Sequence, residues 1–361
     1  MKIIRKRMKF VNKIIYYPIL ILTIFAVGLL LLSAYSSYFY PKDHPYLAIS
    51  GLLFSVFLVI NVCFAIIWLF IRRRYVFIVL LAFLLCYPQI QSYISFHFHT
   101  EKPPGESFKI LSYNVMCFGY LKKNNNENAV LTYVTNQNAD ILCMQEYEVS
   151  KNKDYLTQHD IDEALKSYPY RSIQKEFACF SKFPVLSAKL IDSKTNLGAA
   201  CYELKIGEDT VMLINCHLES NKLTKEDKAL YEDMLTAPKA GSIKRETRHL
   251  TAKLADASVI RAEQARIIAG EISSSPHSYV VVCGDFNDIS ISYTYRIISQ
   301  GLKDAFIQSG CGVGVSYNEN RFYFRIDHIL VSKNMKVYNC MVDRSIKDSD
   351  HYPIKCYVTK S

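Results

Sequence analysis

Polar residues whose side chains bind metals or phosphates recur directly after short apolar runs of this sequence. Six such places lie between residues 108 and 353. The residues are Asn114, Gln145, Glu146, Asn215, His217, Asp285, Asn287, Asp288, Asp327, His328, Asp350 and His351. A single Asp or Asn after a strand is usually a turn former, which is how we interpret Asp288. Six places together indicate a site, because open sheets bind their ligands at strand ends.

The chemistry of these side chains points to a cation and a phosphoryl group. Mg²⁺ takes oxygen ligands, which carboxylates and amides supply. A neutral or protonated histidine beside such a cation can bind a phosphoryl oxygen. The pattern therefore favours metal-assisted chemistry at one edge of a sheet.

The apolar runs before these residues are typical of strands, since they are rich in Val, Ile, Leu, Phe and Tyr. Val280–Val282 and Val211–Ile214 are apolar on both faces, which predicts sheets covered on both sides. The predicted strands are 108–115, 139–144, 177–181, 185–191, 199–205, 210–217, 279–283 and 323–331.

Helical patterns alternate with the strands and predict an α/β domain. The predicted helices are 127–137, 160–167, 246–273 and 293–308. The most charged stretch, 220–258, is interpreted as a solvated loop and helix, with an insertion facing the substrate or a bilayer as the alternative. Residues 101–107 are predicted to be a linker, because they contain Pro103, Pro104 and Gly105.

The first hundred residues differ in composition from the rest. They contain ten Lys or Arg residues and one acid, whereas the remainder contains 33 basic and 32 acidic residues. The net charge of +10 therefore does not indicate a nucleic-acid-binding surface. A hydrophobic content of 50% and an aromatic content of 13% exclude a disordered chain.

Three intervals of this first part lack Asp, Glu, Lys and Arg, and about 20 apolar residues span a bilayer. They predict transmembrane helices at 15–36, 46–71 and 75–96. The third is the weakest, because Pro88, Gln89 and other polar groups interrupt it. A cleaved signal peptide is the alternative for the first helix, but further apolar segments follow it.

Basic residues predict the orientation of these helices. Six lie before residue 14, and Arg72–Arg74 lie between the second and third segments, so both regions are expected in the cytoplasm. Three spans then place the soluble part on the extracytoplasmic face, whereas two would leave it inside. Nine of the eleven cysteines fall in the soluble part without a CxxC pair, which suggests no zinc site and favours the cytoplasm. We expect three spans.

Seven short motifs occur in order through the soluble part. They are Leu111-Ser112-Tyr113-Asn114-Val115, Met144-Gln145-Glu146, Ser181-Lys182-Phe183-Pro184, Asn215-Cys216-His217-Leu218, Gly284-Asp285-Phe286-Asn287, Arg325-Ile326-Asp327-His328 and Ser349-Asp350-His351. Together they resemble the endonuclease/exonuclease/phosphatase superfamily over about residues 107–360. This family includes deoxyribonucleases, apurinic endonucleases, inositol-polyphosphate 5-phosphatases and neutral sphingomyelinases.

The resemblance implies an α/β fold, a four-layer sandwich of two central mixed sheets flanked by helices. The expected organisation is a transmembrane anchor over 1–100, a linker over 101–107 and a catalytic domain over 108–361. The resemblance also implies a Mg²⁺ cofactor, with Mn²⁺ as a substitute. Glu146 would be the principal ligand, and Asn114 and Asp350 would hold the metal or its waters.

The family also implies roles for the other motif residues. Asp285 would orient or deprotonate the attacking water, while Asn287 and His217 would bind the phosphate. His351, held by Asp327, would stabilise the transition state, because a buried carboxylate fixes the tautomer of a histidine and favours its protonated form.

Three positions depart from the family pattern. Met116 stands where some nucleases carry an acid, so the metal site has one carboxylate fewer. Lys182 stands where many members have Arg, which removes a bidentate donor. His328 occupies a position that is often aromatic and is interpreted as a packing residue. The run 217–220, His-Leu-Glu-Ser, is similar to tyrosyl-DNA phosphodiesterases but is too short to transfer their substrate.

The function expected from the sequence is a membrane-anchored, Mg²⁺-dependent phosphohydrolase that attacks a phosphodiester or phosphomonoester with water. A nuclease acting on DNA or RNA and a sphingomyelinase-like lipid phosphodiesterase are the alternatives, and a catalytically inactive membrane interaction domain is a remote one. The expected partners are a phosphate-ester substrate and the lipid bilayer, with no obligate protein partner evident.

Overall fold

The computed structural model describes residues 2–123, 127–191, 197–236, 243–317, 319 and 322–360. These residues form two compact units. One contains the described residues up to Tyr93 together with Ile291–Tyr293, and the other contains the remainder.

The first unit is helical. Its helices are α1 (Lys2–Ala34), α2 (Pro45–Ala48), α3 (Phe54–Ile71), α4 (Val76–Leu85) and α5 (Tyr87–Tyr93). Short 3₁₀ segments lie between them, at Ser36–Tyr38, Ile49–Leu53 and Arg73–Tyr75. The sequence favours helix here because long apolar runs satisfy their backbone hydrogen bonds within the segment.

Polar side chains on the apolar helices hold α1 and α3 together. The Asn61 side chain is fully buried, and its Nδ2 donates to Ala26 O at 3.0 Å. The Trp68 indole donates to Thr23 Oγ1, also at 3.0 Å. Such hydrogen bonds are typical contacts between helices in an apolar surrounding.

Two helical segments near the N-terminus are long and apolar enough to cross a membrane. They are Tyr16–Ala34 and Pro45–Ile71. A third candidate consists of two helical pieces, Arg73–Leu85 and Tyr87–Tyr93, with a bend of 66° between them. The bend lies just before Pro88, where the apolar run of the sequence also ends.

The second unit is built on strands. They are β1 (Ser95–Phe96), β2 (Phe108–Asn114), β3 (Ile141–Gln145), β4 (Tyr170–Gln174), β5 (Phe177–Ser181), β6 (Val185–Ile191), β7 (Gly198–Ile206), β8 (Asp209–His217), β9 (Tyr279–Asp285), β10 (Leu302–Asp304), β11 (Cys311–Gly312), β12 (Asp327–Ser332), β13 (Met335–Val342) and β14 (Ile354–Lys360). The eight predicted strands are confirmed, although the last begins at Asp327 instead of residue 323.

These strands form two mixed six-stranded sheets and one short two-stranded ribbon among the described residues. Sheet I has the order β13-β14-β2-β3-β5-β4, and sheet II has the order β10-β12-β9-β8-β7-β6. Only β2–β3 and β8–β9 among the described strand pairs are parallel. Both parallel pairs end at residues that the sequence singles out.

The remaining helical segments are α6 (Met116–Tyr120), α7 (Ala129–Asn136), α8 (Gln158–Ala164), α9 (Lys225–Thr236), α10 (Ile243–Ser273), α11 (Tyr293–Ile298) and α12 (Ala305–Ser309). One apolar cluster joins the facing sides of the two sheets, with Ile110, Phe177, Leu213 and Val281 among its members. A second covers the outer face of sheet I with α7 and α8, and a third covers sheet II with α10. The expected two mixed sheets flanked by helices are therefore confirmed.

The predicted helix 293–308 is wrong, because the chain breaks there into α11, β10 and α12. Gly301 adopts a φ of 79°, which ends the helical path. Asp304 then caps α12 by accepting hydrogen bonds from the backbone of Phe306 and Ile307.

Eight of the eleven cysteines are buried, as small apolar residues are. All eleven carry free thiols. Cys143, Cys216 and Cys283 have no exposed surface, as their strand positions predict.

Candidate active site

The two parallel strand pairs bring the predicted residues to one edge of the fold. Asn114 ends β2 opposite Gln145 at the end of β3, and Glu146 follows directly. His217 ends β8 opposite Asp285 at the end of β9. Asp327 begins the antiparallel β12 opposite Asp285. Parallel strands end at the same edge, so these groups converge.

The site crosses the seam between the two sheets. Asn114 Nδ2 of sheet I lies 3.2 Å from Asp285 Oδ2 of sheet II and 2.9 Å from Glu146 Oε1. Behind it, Gln145 Nε2 donates to Asn215 Oδ1 at 2.6 Å, and Asn215 Nδ2 donates to Met144 O at 3.0 Å. These buried amides fix the sheets in one register, because a shift would leave them without partners.

Asp285 is the central acid of the site and has no exposed surface. Its Oδ1 accepts from the backbone N–H of Asn287 at 2.8 Å. Burial raises the pKa of Asp285 to about 6, because the opposing charges of His351 and His217 only partly offset the desolvation. The Asn287 amide donates to Leu218 O at 2.9 Å and to Asp285 Oδ2 at 3.3 Å, so it braces the Asp285 loop.

Asp327 and His351 form a buried hydrogen-bonded pair. His351 Nδ1 lies 2.8 Å from Asp327 Oδ2, and Nε2 lies 3.5 Å from Asp285 Oδ2. Burial alone would lower the pKa of His351, but the charges of Asp327 and Asp285 outweigh it and hold the pKa well above the usual value. The two carboxylates therefore favour the protonated form of the ring, whose second nitrogen faces Asp285.

His217 has a carboxylate partner that the sequence reasoning missed. Its Nδ1 lies 3.1 Å from Glu176 Oε1, and its Nε2 lies 3.7 Å from Glu146 and 3.8 Å from Asp285. Burial lowers the pKa of His217, but the Glu176 hydrogen bond and the neighbouring acids raise it above the usual value overall. Glu176 lies in the turn between β4 and β5, and no motif marks it.

Glu146 and Asp350 are the acids best placed to hold a cation. The Glu146 side chain is 34% exposed. The Asp350 carboxylate makes no hydrogen bond or ion pair with any described residue. Burial raises the pKa of Asp350, and the charges of Glu146 and Glu319 raise it further, although His351 opposes them. Two carboxylates that repel each other, and that share no cationic side chain, are suited to bind a divalent cation.

A second group of possible metal ligands is more deeply buried than Glu146 and Asp350. One atom each of Asp285, Asp327 and His351 lies within 4.8 Å of the other two, and all three residues are buried. Asp327 Oδ1 is buried without a hydrogen-bond partner among the described residues. A cation bound by all three would compete with the His351 proton, so this group suits acid–base chemistry better than metal binding.

The segment after Asn114, which contains α6, is a left-handed turn and not a right-handed helix. All six residues of Met116–Leu121 have φ between 46° and 64°. Gly119 N donates to Val115 O at 3.0 Å and Leu121 N donates to Cys117 O at 2.7 Å, as in a helix of opposite hand. Left-handed backbone costs about 1–2 kcal/mol for each non-glycine residue. Glu146 and Asn287 also have positive φ, so backbone strain is concentrated at the site.

A cleft opens beside Glu146 and His217. Its volume is about 440 Å³. The lining residues are Cys117, Glu146, Tyr147, Glu148, Lys175, Glu176 and His217. The Glu146 side of the strand ends therefore borders an open cleft.

Part of the charged stretch 220–258 reaches this region, although residues 237–242 lie outside the described chain. Lys228 of α9 pairs with Glu319, and its Nζ lies 5.6 Å from the Tyr317 ring centre. The Tyr317 ring in turn lies 5.1 Å from that of His351. Asp227, one residue before, is buried and accepts from His249 and Lys253, which fixes the start of α9.

Two further buried residues, Arg261 and His328, brace the site. Arg261 of α10 is buried, and it donates to Glu219 O at 2.9 Å and to Asp288 at 3.2 Å. Asp288 therefore forms an ion pair as well as its expected turn contact with Ile289 N. His328 is fully buried and packs against Phe286 and Tyr295. Its ring is also held by polar contacts, since Nε2 lies 3.0 Å from Asp288 O and Nδ1 lies 3.1 Å from an Arg325 nitrogen.

The sequence matches the model of the Endonuclease/Exonuclease/phosphatase family over residues 111–351. The chain belongs to this family and is a metal-dependent hydrolase of phosphoric ester bonds. A second model, described as a domain of unknown function (DUF8431), matches residues 12–93. A search of curated proteins gave no match.

Several solved structures are similar to this chain. A humanized TDP2 from D. rerio has 17% identity and a TM-score of 0.48, covering 71% of this chain and 100% of that one. An endonuclease/exonuclease/phosphatase family protein from Bacteroides thetaiotaomicron has 17% identity and a TM-score of 0.48, covering 72% and 100%. The beta toxin of Staphylococcus aureus has 17% identity and a TM-score of 0.44, covering 69% and 99%. These similarities are too distant to transfer a substrate.

Proposed function

We propose that the chain is a membrane-anchored, Mg²⁺-dependent phosphohydrolase that cleaves a phosphodiester or phosphomonoester by attack of water. The observation that carries this proposal is the alignment of the His351–Asp327 pair with Asp285, 3.5 Å from His351 Nε2, beside the Asn114–Glu146 contact. A general base, a cationic donor and a metal-binding carboxylate then surround one small volume. That combination suits phosphoryl transfer to water.

Asp285 would orient and deprotonate the water in this mechanism. Its Oδ1 is held by Asn287 N, so the other oxygen, Oδ2, faces the site. His351 would donate a hydrogen bond to a phosphoryl oxygen, while Asp327 fixes its tautomer and stabilises its charge. His217, held by Glu176, would bind another oxygen through Nε2. Asn287 would support Asp285 in the free enzyme. It would bind the phosphate by redirecting the Nδ2 hydrogen of its longer contact, 3.3 Å to Asp285 Oδ2, to a phosphoryl oxygen.

Glu146, Asn114 and Asp350 would hold the Mg²⁺ or its waters. The unpaired Asp350 carboxylate and the partly exposed Glu146 support this assignment. When bound, Mg²⁺ would neutralise charge on the leaving oxygen and polarise the phosphoryl group. Mn²⁺ would serve in the same ligand set, because both ions take oxygen ligands.

Residues 1–100 would anchor the enzyme, residues 101–107 would link the two parts, and residues 108–361 would catalyse the reaction. The outward-facing side chains of the first unit support the anchor, since Ile21, Phe25 and Phe70 are 66%, 64% and 87% exposed. Arg72–Arg74 support a cytoplasmic loop, and a third span would place the catalytic part on the extracytoplasmic face.

The substrate is proposed to be a phosphate ester presented at or near the bilayer, such as a lipid headgroup. The balanced charge of residues 101–361 supports this choice over a nuclease, which needs a basic groove. A panel of phospholipids, DNA, RNA and sugar phosphates would separate the classes. Hydrolysis of nucleic acid alone would contradict a lipid substrate.

The test of the mechanism is Glu146→Gln in the full-length chain, with bis(p-nitrophenyl) phosphate as the diester probe and p-nitrophenyl phosphate as the monoester probe. We expect turnover to fall at least about a hundredfold and Mg²⁺ binding to weaken, because an amide lacks the anionic oxygen. Thermal stability without metal should be nearly unchanged.

Glu208→Gln is the matched control. Glu208 is exposed in the turn between β7 and β8, at the opposite end of these strands from His217. It should retain normal turnover and Mg²⁺ dependence. Normal activity in Glu146→Gln would remove Glu146 from the ligand set.

A further inference from the structure

We infer that the left-handed turn Met116–Leu121 positions the metal ligands and that Gly119 is the residue on which this positioning depends. The inference rests on the proposed function, because it takes Asn114, Glu146 and Asp350 as those ligands. One strained turn contacts the chain segment of each of them. None of the seven motifs extends into this turn.

The first contact fixes the Asn114 side chain. The backbone N–H of Met116 donates to Asn114 Oδ1 at 3.1 Å. This bond determines which way the amide points, so that Nδ2 faces Glu146 and Asp285. A turn of the opposite hand would direct the Met116 N–H elsewhere.

The second contact fixes the backbone of Glu146. The N–H of Cys117 donates to Glu146 O at 3.0 Å. Glu146 itself has a φ of 51°, a conformation that its own backbone does not favour. The Cys117 bond therefore helps to hold the Glu146 carboxylate in the orientation that the site requires.

The third contact is a close approach to the loop that carries Asp350. A Cβ on Gly119 would lie 2.6 Å from Asp348 O, which no real side chain tolerates, and Gly119 has a φ of 64°. Ser349 Oγ donates to Asn114 O at 2.8 Å from the other side of the same loop. Glycine thus lets the turn and the Asp348–Asp350 loop lie in direct backbone contact.

The turn is anchored from outside the site. Asn128 Nδ2 donates to Phe118 O at 2.9 Å and to Lys122 O at 2.7 Å. Asn128 Oδ1 accepts from Leu131 N and so caps α7. Because the fold holds the turn in its strained form, the ligands are oriented before any metal arrives.

The experiment measures the dissociation constants of Mg²⁺ and Mn²⁺ by calorimetry on the full-length chain in detergent, together with the thermal transition without metal. Gly119→Ala should weaken metal binding about 10–100-fold, as expected for loss of a group that orients a ligand. Gly301→Ala is the matched control, because Gly301 also has positive φ but has open space around its Cβ position. It should bind metal normally. Without metal, Gly119→Ala should unfold at a lower temperature than Gly301→Ala, because only its Cβ meets backbone, so both constants are measured at a temperature where both variants are folded.

Asn128→Asp gives a second, independent variant. It keeps the acceptor that caps α7 and removes both donors to the turn. We expect weaker metal binding than in the native chain but a smaller loss than in Gly119→Ala.

The dissociation constant of either variant decides the question if that variant folds. A native constant in a folded variant would overturn the inference, and so would unfolding of both variants without metal, since the turn would then support the fold and not the ligands.

Glu146→Gln distinguishes this inference from the proposed function. If Glu146→Gln binds metal as the native chain does, the proposed ligand set is wrong. If Glu146→Gln loses the metal while Gly119→Ala keeps it, the ligand set stands and only the role of the turn fails.

Discussion

At the scale of individual residues, we expect Asp327 and His351 to act as one functional unit. Asp327 holds Nδ1 at 2.8 Å, and the other ring nitrogen faces Asp285. We expect His351→Ala and Asp327→Ala each to lower turnover by roughly three orders of magnitude, and the double variant to be little worse than the poorer single one, because residues that act as a unit are not additive. Turnover of the three variants measures this.

His277→Ala is the control for that comparison. His277 also pairs with a carboxylate, Glu203 at 2.9 Å, but lies before the first residue of β9, far along the strand from Asp285. Its removal should leave turnover nearly normal. Losses that multiply between Asp327→Ala and His351→Ala would show that the two residues act independently.

Residues at strand ends could be predicted from the sequence, whereas their supporting residues could not. Asp285 and His217 follow long buried runs, so their position at a sheet edge is visible in the pattern. Glu176 follows β4, an edge strand whose side chains are mostly exposed, and nothing in its neighbourhood distinguishes it from a surface acid. Arg261 lies on the amphipathic helix α10. One buried charged residue does not alter the hydrophobic period of the helix, so the sequence does not single it out.

Helix α9 is an element whose contribution to the site can be tested. Lys228 holds Glu319, and Glu319 accepts from the Tyr317 hydroxyl at 3.1 Å, beside the His351 ring. Lys228→Ala should release Tyr317 and lower turnover roughly fivefold, since a partly exposed ion pair contributes about 1 kcal/mol. The thermal transition should change little. Steady-state kinetics and a thermal scan measure both effects.

Two further variants complete this test. Lys228→Arg should restore most of the turnover, because it keeps the charge opposite Glu319. Lys225→Ala, at an exposed position of the same helix, should behave as the native chain. A loss of equal size in Lys225→Ala would attribute the effect to the charge of the helix and not to the pair.

Some elements escape sequence reasoning for physical reasons. β14 alternates buried Ile354, Cys356 and Val358 with the polar groups between them, so its apolar content is too low to mark a central strand. β13 contains a bulge at Asn339, where φ is 51°, and this breaks the period of two. The left-handed turn cannot be predicted from the sequence for another reason. Residues with side chains, such as Met116–Phe118, ordinarily favour right-handed backbone.

Membrane topology is a property of the whole molecule, and labelling of an exposed cysteine can test it. Cys311 is exposed in the catalytic unit. In intact cells a membrane-impermeant thiol reagent should label this residue, because three spans place the catalytic unit on the extracytoplasmic face. Mass spectrometry of the modified peptide measures the labelling.

Cys311→Ser is the control and should lose the label at that peptide. A reporter fused after Ser361 gives an independent reading of the same face. Labelling only after the membrane is permeabilised would contradict the three-span arrangement. The bent segment Arg73–Tyr93 would then not cross, and the two helical segments Tyr16–Ala34 and Pro45–Ile71 would leave the enzyme inside.

The position of β14 bears on how the enzyme is made. This strand is the last of sheet I in sequence, yet it lies between β13 and β2 in the interior of the sheet. During synthesis, β2 cannot pair with β14 until about 240 further residues have been translated. Asp350 and His351 lie shortly before β14, so a growing polypeptide lacks these two proposed site residues until the segment before β14 has been translated. A nascent chain that is halted before His351 should therefore be inactive toward phosphate esters.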